Sequence, residues 1–182
     1  MRKLKGFKTG EVLESEGSMS NGLVGSSDKD YLLRINSLSL GKLEFNNVPC
    51  ASSGTRETLI GQKALSHFLF TLDYPAGEML LKRSENDKYE TNVFSWGLAS
   101  KRDKGRVIVK GLLKGCPAAR SGIKLGDEVF TVNSMDVSQL SMLDLMALSL
   151  DDSIDRVELV YSGDCDRKMV VLKKEMLLPG TE

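Results

Sequence analysis

The sequence predicts a mainly β protein with short helices, and three observations support this prediction. Apolar and polar residues alternate in several short stretches, such as residues 31–35, which is the period of a half-buried strand. Turn signals rich in Gly, Asp and Pro separate these stretches. Helix signals are confined to short segments, such as the one that begins at Pro117. We therefore expect a β-rich fold with a few short helices.

Composition limits the classes of function. The 182 residues suffice for one ordinary domain or two small ones. Basic and acidic residues both number 25 and the basic ones are scattered, so nothing favours nucleic acid or an anionic membrane as a partner. No apolar run reaches the roughly 20 residues of a membrane span. Cys50, Cys116 and Cys165 lack metal-ligand spacing, and His67 is the single histidine, so we expect no metal and no cofactor.

The first half reads as strands around one short helix. In chain order, the predicted elements are a loop or hairpin at 14–27, strands at 31–40 and 43–45 joined by a tight turn at Gly41-Lys42, a helix at 62–67, and a hairpin that pairs 68–74 with 78–82. The polar, charged stretch 84–90 follows as a seam. The predicted domains are therefore residues 1–84 and 85–182.

The second half alternates strands with two capped helices. In chain order, the predicted elements are strands at 93–99 and 106–113, a helix at 117–121, a strand at 128–133, a helix after Ser141, and a hairpin of 157–161 with 168–173 that turns at Gly163-Asp164. Pro117 suits a first helical turn because its missing N–H would have no partner there. Gly122 suits a left-handed cap at the helix end. Ser141 can cap the amide of Asp144, whose charge also favours a helix start.

The run from Gly115 to Val129, GCPAARSGIKLGDEV, leads into strand-like residues and resembles a bacterial-type PDZ domain. PDZ domains bind extended peptides by strand addition. Ser95-Trp96-Gly97-Leu98 fits the apolar-Gly-apolar turn of that family. The resemblance implies a PDZ β-sandwich capped by helices over residues 85–182, and a polypeptide or C-terminal peptide as the partner.

The resemblance also implies the residues of a peptide site. The backbone amides of Trp96, Gly97 and Leu98 would hold the terminal carboxylate, and Met142 would come first on the groove side of the second helix. Members of the family that select Ser or Thr two residues before the peptide end usually have His at that position, whereas Met142 implies an apolar preference there. The predicted peptide-binding residues are Ser95, Trp96, Gly97, Leu98, Ala99, Met142, Met146 and Ser149. The alternatives are a strand with a glycine bulge and two ordinary core methionines.

Residues 4–83 resemble the later part of a retropepsin-like aspartic protease domain. The motifs in order are the run from Ser37 to Pro49, the segment Leu59-Ile60-Gly61-Gln62 with Leu65, and the strand Phe70-Thr71-Leu72-Asp73-Tyr74-Pro75. The resemblance implies a partial acid-protease barrel, with 17–25 as either the flap or an ordinary loop. The Asp-Thr/Ser-Gly motif is missing, and Lys8-Thr9-Gly10 has a cation where the carboxylate must be. We therefore assign no catalytic residue.

Two functional interpretations follow from these resemblances. In the first, the chain is a fragment of an aspartic-type peptidase whose PDZ domain recruits polypeptide substrates. In the second, it is a complete non-catalytic peptide-binding scaffold or pseudoenzyme. No nucleophile–base pair or phosphate loop supports a different enzyme. A partial barrel would leave open strand edges, which allows a homodimer. The compartment stays open, with the cell envelope or secretion expected if a signal peptide precedes the chain.

Overall fold

The computed structural model describes residues 9–20, 28–52, 65, 68–83, 92–163 and 166–178. These residues are mainly β, as predicted. The chain divides into two compact units, residues 1–55 with 91–182, and residues 56–90. The predicted helix at 62–67, except Leu65, and the predicted seam at 84–90 lie outside the described residues. The domain boundary between 84 and 85 stays a prediction.

The described strands follow one another along most of the chain. In order they are β1 (Thr9–Gly17), β2 (Tyr31–Leu40), β3 (Leu43–Ser52), β4 (Phe68–Asp73), β5 (Glu78–Arg83), β6 (Val93–Ser95), β7 (Leu98–Asp103), β8 (Arg106–Leu113), β9 (Glu128–Val132), β10 (Met135–Asp136), β11 (Arg156–Gly163), β12 (Asp166–Lys173) and β13 (Glu175–Leu178). The described helices are α1 (Pro117–Arg120), a 3₁₀ turn (Val137–Gln139) and α2 (Met142–Leu150).

The larger unit contains a nine-stranded sheet with the order β12-β11-β9-β8-β1-β2-β3, with β10 beside β9 and β7 beside β8. The strand β1 links the two parts of this sheet, because it pairs with β2 along one stretch and with β8 along another. Ser15 lies opposite Leu113, and Gly17 lies opposite Gly111. Residues 14–27 were predicted as a loop or hairpin, and residues 14–17 complete β1, which pairs with β2 in antiparallel register. Residues 21–27 lie outside the described residues.

A buried carboxylate accepts hydrogen bonds from the residues that follow β1. Asp30 is 3% exposed, and its Oδ2 accepts hydrogen bonds from the amides of Met19 (2.7 Å) and Ser20 (3.0 Å) and from the Ser18 hydroxyl (3.2 Å). The amide of Ser18 in turn donates to the carbonyl of Lys110 in β8 (3.0 Å). The segment 18–20 is therefore held between Asp30 and β8.

The main core lies where α1, α2 and the strands from β7 to β12 meet. Alternate residues of β11 point into this core, and Val157, Leu159 and Tyr161 are each 3% exposed. The buried members of the core are Trp96, Val107, Val109, Leu112, Ala118, Ile123, Val129, Val132, Val137, Val157, Leu159, Tyr161 and Leu172. A smaller core of Leu33, Ile35 and Val48 lies between β2 and β3.

Two predicted hairpins and the predicted ends of the first helix are confirmed. β2 and β3 turn at Gly41-Lys42, and in the smaller unit β4 and β5 pair in antiparallel register. In the latter turn the Asp73 carboxylate accepts the amide of Ala76 at 3.0 Å. Pro117 occupies the first turn of α1, and Gly122 follows with a φ of +83°.

Candidate functional site

The turn between β6 and β7 requires glycine at position 97. Gly97 has a φ of +77°, and a Cβ at this position would lie 2.4 Å from the Cβ of Cys116. The turn is held on both sides, since the carbonyl of Trp96 accepts the amide of Ala118 (3.0 Å) and the carbonyl of Gly97 accepts the amide of Leu113 (2.9 Å). The backbone of this turn is therefore fixed against α1 and β8.

The amides of this turn differ in what they contact. The amide of Gly97 donates to Ser95 Oγ at 3.0 Å, so it already has an internal acceptor. The Gly97 carbonyl accepts the amide of Leu113, so this carbonyl faces β8. Leu98 lies opposite Leu112, one position further along, and because residues that face the partner strand alternate along an antiparallel ladder, the N–H and C=O of Leu98 face away from β8.

The outer edge of β7 offers further backbone groups. Asp103 pairs with Arg106 across a two-residue turn in which Lys104 and Gly105 have φ values of 48° and 83°. Residues that face β8 alternate along β7 with residues that face away from it. Because Asp103 faces β8, the N–H and C=O of Ser100 and Arg102 face away from β8. No described strand pairs with this side of β7. Within the part of the chain that the structure describes, β7 therefore presents a free edge.

The helix α2 begins at a complete capping box. Ser141 Oγ accepts the amide of Asp144 at 3.1 Å, and Asp144 Oδ2 accepts the amide of Ser141 at 2.7 Å. The hydrogen bond from Ser141 lowers the pKa of the Asp144 carboxyl below its ordinary value, so the box keeps its negative charge at neutral pH. The cap predicted from the sequence is confirmed.

Replacing Ser141 with alanine should lower the free energy of unfolding by about 1 kcal/mol, because the first turn of α2 loses a capping acceptor. Urea denaturation checks this result. Ser149→Ala in the same helix is the control, and it should leave stability unchanged or raise it slightly because alanine is the better helix former. An equal loss in both variants would contradict the capping role.

The residues of α2 divide into faces at about 100° per residue. Met142, Met146 and Ser149 share one face, whereas Leu145 and Leu148 pack against the main core. No residue of this helix is buried, and Met146 is 37% exposed. Met142 and Met146 are therefore accessible side chains on the face predicted from the sequence.

Arg102 connects the end of β7 to the residues before α2 by hydrogen bonds. Its Nη2 donates to the carbonyls of Val137 (2.9 Å) and Leu140 (2.6 Å), which precede the helix. Its Nη1 donates to the carbonyl of Gly105 at 2.9 Å. The last residues of the strand are therefore held beside the first turn of the helix.

Lys174 makes the corresponding connection at the opposite end. Its Nζ donates to the carbonyl of Asp151, the residue after α2, at 2.6 Å. The same Nζ lies 4.9 Å from the centre of the Trp96 ring, just before β7. Strand and helix thus run side by side in opposite directions. We call the space between the free edge of β7 and α2 the β7–α2 groove, with a Trp96 end and an Arg102 end.

The predicted site residues belong to two elements, and their contact with a peptide stays a prediction. Ser95, Trp96, Gly97, Leu98 and Ala99 form the turn and the first residues of β7. Met142, Met146 and Ser149 lie on one face of α2. The Trp96 side chain itself is 6% exposed and belongs to the main core. Sequence analysis missed Arg102 and Lys174, because an isolated cation in a strand or linker carries no local signal.

A shallow cavity of about 300 Å³ lies on the other side of α2. Its lining residues are Met135, Leu140, Asp144, Ala147, Leu148, Asp151 and Ile154. On the helix, Asp144, Ala147 and Asp151 point away from Met142, Met146 and Ser149. This cavity is therefore separate from the β7–α2 groove.

Two further properties concern the residues that the structure describes. Within them no helix is long and apolar enough to cross a membrane. No group of three or more His, Cys, Asp or Glu side chains among them is arranged to hold a metal ion. Burial raises the pKa of the Cys116 thiol, which packs beneath Gly97, so this thiol is neutral at physiological pH.

Comparison with known proteins identifies the second half of the chain. Residues 87–160 match the PDZ domain family, and this range includes the turn, β7 and α2. No curated protein matches the chain. Residues 4–83 lie outside the match, so their resemblance to an aspartic protease domain stays a prediction. The chain therefore contains a PDZ domain, a peptide- and protein-interaction module, at residues 87–160.

Proposed function

We propose that the β7–α2 groove binds the C-terminal segment of a polypeptide as an added strand. The free edge of β7, held alongside α2 at both ends, is the observation that most supports this proposal. Backbone groups of Leu98, Ser100 and Arg102 supply main-chain hydrogen bonds to the peptide. These bonds carry little sequence information, so affinity should be micromolar, about 8 kcal/mol.

The terminal carboxylate binds at the turn of residues 95–98 in this proposal. The amide of Leu98 faces the groove, and the amide of Gly97 contacts only the neutral hydroxyl of Ser95. A carboxylate is a stronger acceptor than a hydroxyl, so it can replace Ser95 Oγ at this amide. The released hydroxyl then donates to the same carboxylate. Trp96 contributes its backbone amide.

Met142 and Met146 form the apolar wall of the groove, with Ser149 toward the Trp96 end. A methionine cannot accept and donate the hydrogen bonds by which histidine selects Ser or Thr. The groove should therefore prefer an apolar residue two positions before the peptide end. Because methionine is flexible and polarizable, discrimination among apolar residues should be loose.

A library of C-terminal peptides tests this proposal with the full chain, each peptide prepared as the free acid and as the amide. Micromolar binding that is lost on amidation supports the carboxylate turn. Equal affinity for the free acid and the amide indicates that the groove binds internal segments, and it contradicts the role of the turn. Absence of binding to any peptide would reject the groove as a peptide site.

Replacing Met142 with histidine should raise the affinity for peptides with Ser or Thr two positions before the end by about fivefold, the scale of one new hydrogen bond. Peptide-array binding measures this preference. Leu143→His is the matched control, because Leu143 is 75% exposed and lies outside the face shared by the methionines. An unchanged profile in Met142→His would remove Met142 from the groove.

The finer proposal is that this module recruits substrates to an aspartic-type peptidase. Its support is the order of motifs between Ser37 and Pro75, and the alternative is a non-catalytic scaffold. Incubation with an unfolded polypeptide, across acidic and neutral pH, should leave the substrate intact because the chain lacks the Asp-Thr/Ser-Gly motif. Cleavage by the chain alone would contradict a purely recruiting role. An upstream reading frame that encodes this motif would favour the peptidase over the scaffold.

A further inference from the structure

We propose that Lys174 supplies the positive charge that makes the Trp96 end of the β7–α2 groove selective for a free carboxylate over a neutral amide. This inference rests on the proposed function, because it concerns the same groove. It adds a residue from the linker between β12 and β13, which lies outside the matched range 87–160.

Lys174 is a buried cation. Its residue is 7% exposed, and its Nζ contacts the carbonyl of Asp151 and the face of the Trp96 ring. Among the described residues no carboxylate lies within ion-pair distance of this ammonium. The Asp151 carboxylate accepts hydrogen bonds from Ser153 and interacts with the Lys174 ammonium electrostatically, without a hydrogen bond between them. A buried ammonium that contacts only a carbonyl and a ring still favours a nearby anion, because burial removes most of its hydration.

The backbone places Lys174 next to the proposed carboxylate turn. β13 pairs with β6, and Glu175 lies opposite Ser95, which places Lys174 beside the turn. The carbonyl of Asp155 accepts both the amide of Lys174 (2.6 Å) and Nε1 of Trp96 (3.3 Å). The main chain of Lys174 is therefore held next to Trp96, whose ring its ammonium contacts.

The position of this charge distinguishes two ligand chemistries. A terminal carboxylate at the turn is attracted by the ammonium, whereas an amide carries no charge to be attracted. A partly buried pair is screened less by salt than an exposed one. The expected signature is therefore a change in the ratio of the acid and amide dissociation constants, in addition to any change in overall affinity.

The experiment measures dissociation constants of one library-selected peptide, as acid and as amide, for the full chain and its variants. Lys174→Gln and Lys174→Met should lower the preference for the acid by about fivefold, as expected for one charge interaction near the surface. Lys174→Arg should keep the preference. Lys173→Gln is the matched control, since it removes an equal charge from the exposed neighbouring residue, and it should change nothing.

The outcomes separate the inference from the proposed function. If Lys174→Gln weakens acid and amide equally, the residue only supports the fold and the inference is wrong. If the natural chain binds acid and amide equally, the carboxylate turn itself is wrong. Should both neutral variants fail to fold, Lys174→Arg and the natural chain are measured between about 0.05 and about 0.5 M NaCl. If Lys174→Arg and the natural chain both still prefer the acid over the amide at high salt, the result supports a buried charge. If this preference disappears at high salt, the result contradicts a buried charge.

Discussion

Replacing Gly97 with alanine is expected to lower the free energy of unfolding by about 3 kcal/mol and to abolish peptide binding. A side chain at a φ of +77° costs about 1–2 kcal/mol. The new Cβ would also lie 2.4 Å from the Cβ of Cys116, and relief of such overlap in a packed core costs a further 1–3 kcal/mol or so. The turn must move to accommodate the new Cβ. The amides that face the groove move with the turn, so peptide binding is lost.

Urea denaturation and peptide titration measure the two effects of Gly97→Ala. Gly105→Ala is the matched control, since Gly105 has a φ of +83° but no atom within 4 Å of a Cβ built there. This control should lose only about 1 kcal/mol and keep its affinity. If both variants lose the same stability, the contact with Cys116 is unimportant. If Gly97→Ala still binds the free acid as before, the turn does not hold the carboxylate.

Replacing Asp30 with alanine is expected to lower the free energy of unfolding by about 3 kcal/mol. The substitution leaves the amides of Met19 and Ser20 and the hydroxyl of Ser18 without their acceptor in a buried site. Each buried donor that loses its charged acceptor lowers the free energy of unfolding by about 1–3 kcal/mol, and water that enters the site offsets part of this loss. The segment that follows β1 then loses its attachment beside β8.

Thermal or urea denaturation measures the stability of Asp30→Ala. Asp28→Ala is the control, because Asp28 is exposed and lies two residues away in the same segment, and it should change stability by less than about 0.5 kcal/mol. Asp30→Asn retains one acceptor oxygen and should fall between the two. Equal stability of Asp30→Ala and Asp28→Ala would show that water replaces the carboxylate fully.

Local features of the fold could be predicted because a few neighbouring residues determine them. Ser141 and Asp144 form their capping box within one helical turn, and Pro117 and Gly122 mark the two ends of α1. The turn at Gly41-Lys42 needs only its two flanking strands. The apolar alternation of β11 likewise indicates which of its residues face the core.

Long-range features could not be predicted from such patterns. Nothing near Ser15 indicates that it lies opposite Leu113, and the glycine- and serine-rich residues that follow it are typical of a loop. The contacts of Arg102 and Lys174 with backbone carbonyls depend on elements far away in the chain. The residues proposed for peptide contact could be identified in the sequence from a turn typical of the family and from helical spacing. The cations at the two ends of the groove could be identified only from the fold.

The shared strand β1 has a mechanical consequence for a protein that binds an extended chain. A peptide pulled lengthwise along β7 would load the β7–β8 ladder in shear, so that several hydrogen bonds resist together instead of opening one by one. Because β8 is also bonded to β1, and β1 to β2, the force spreads across four adjacent strands. We expect the groove to release its ligand under tension before the surrounding sheet yields.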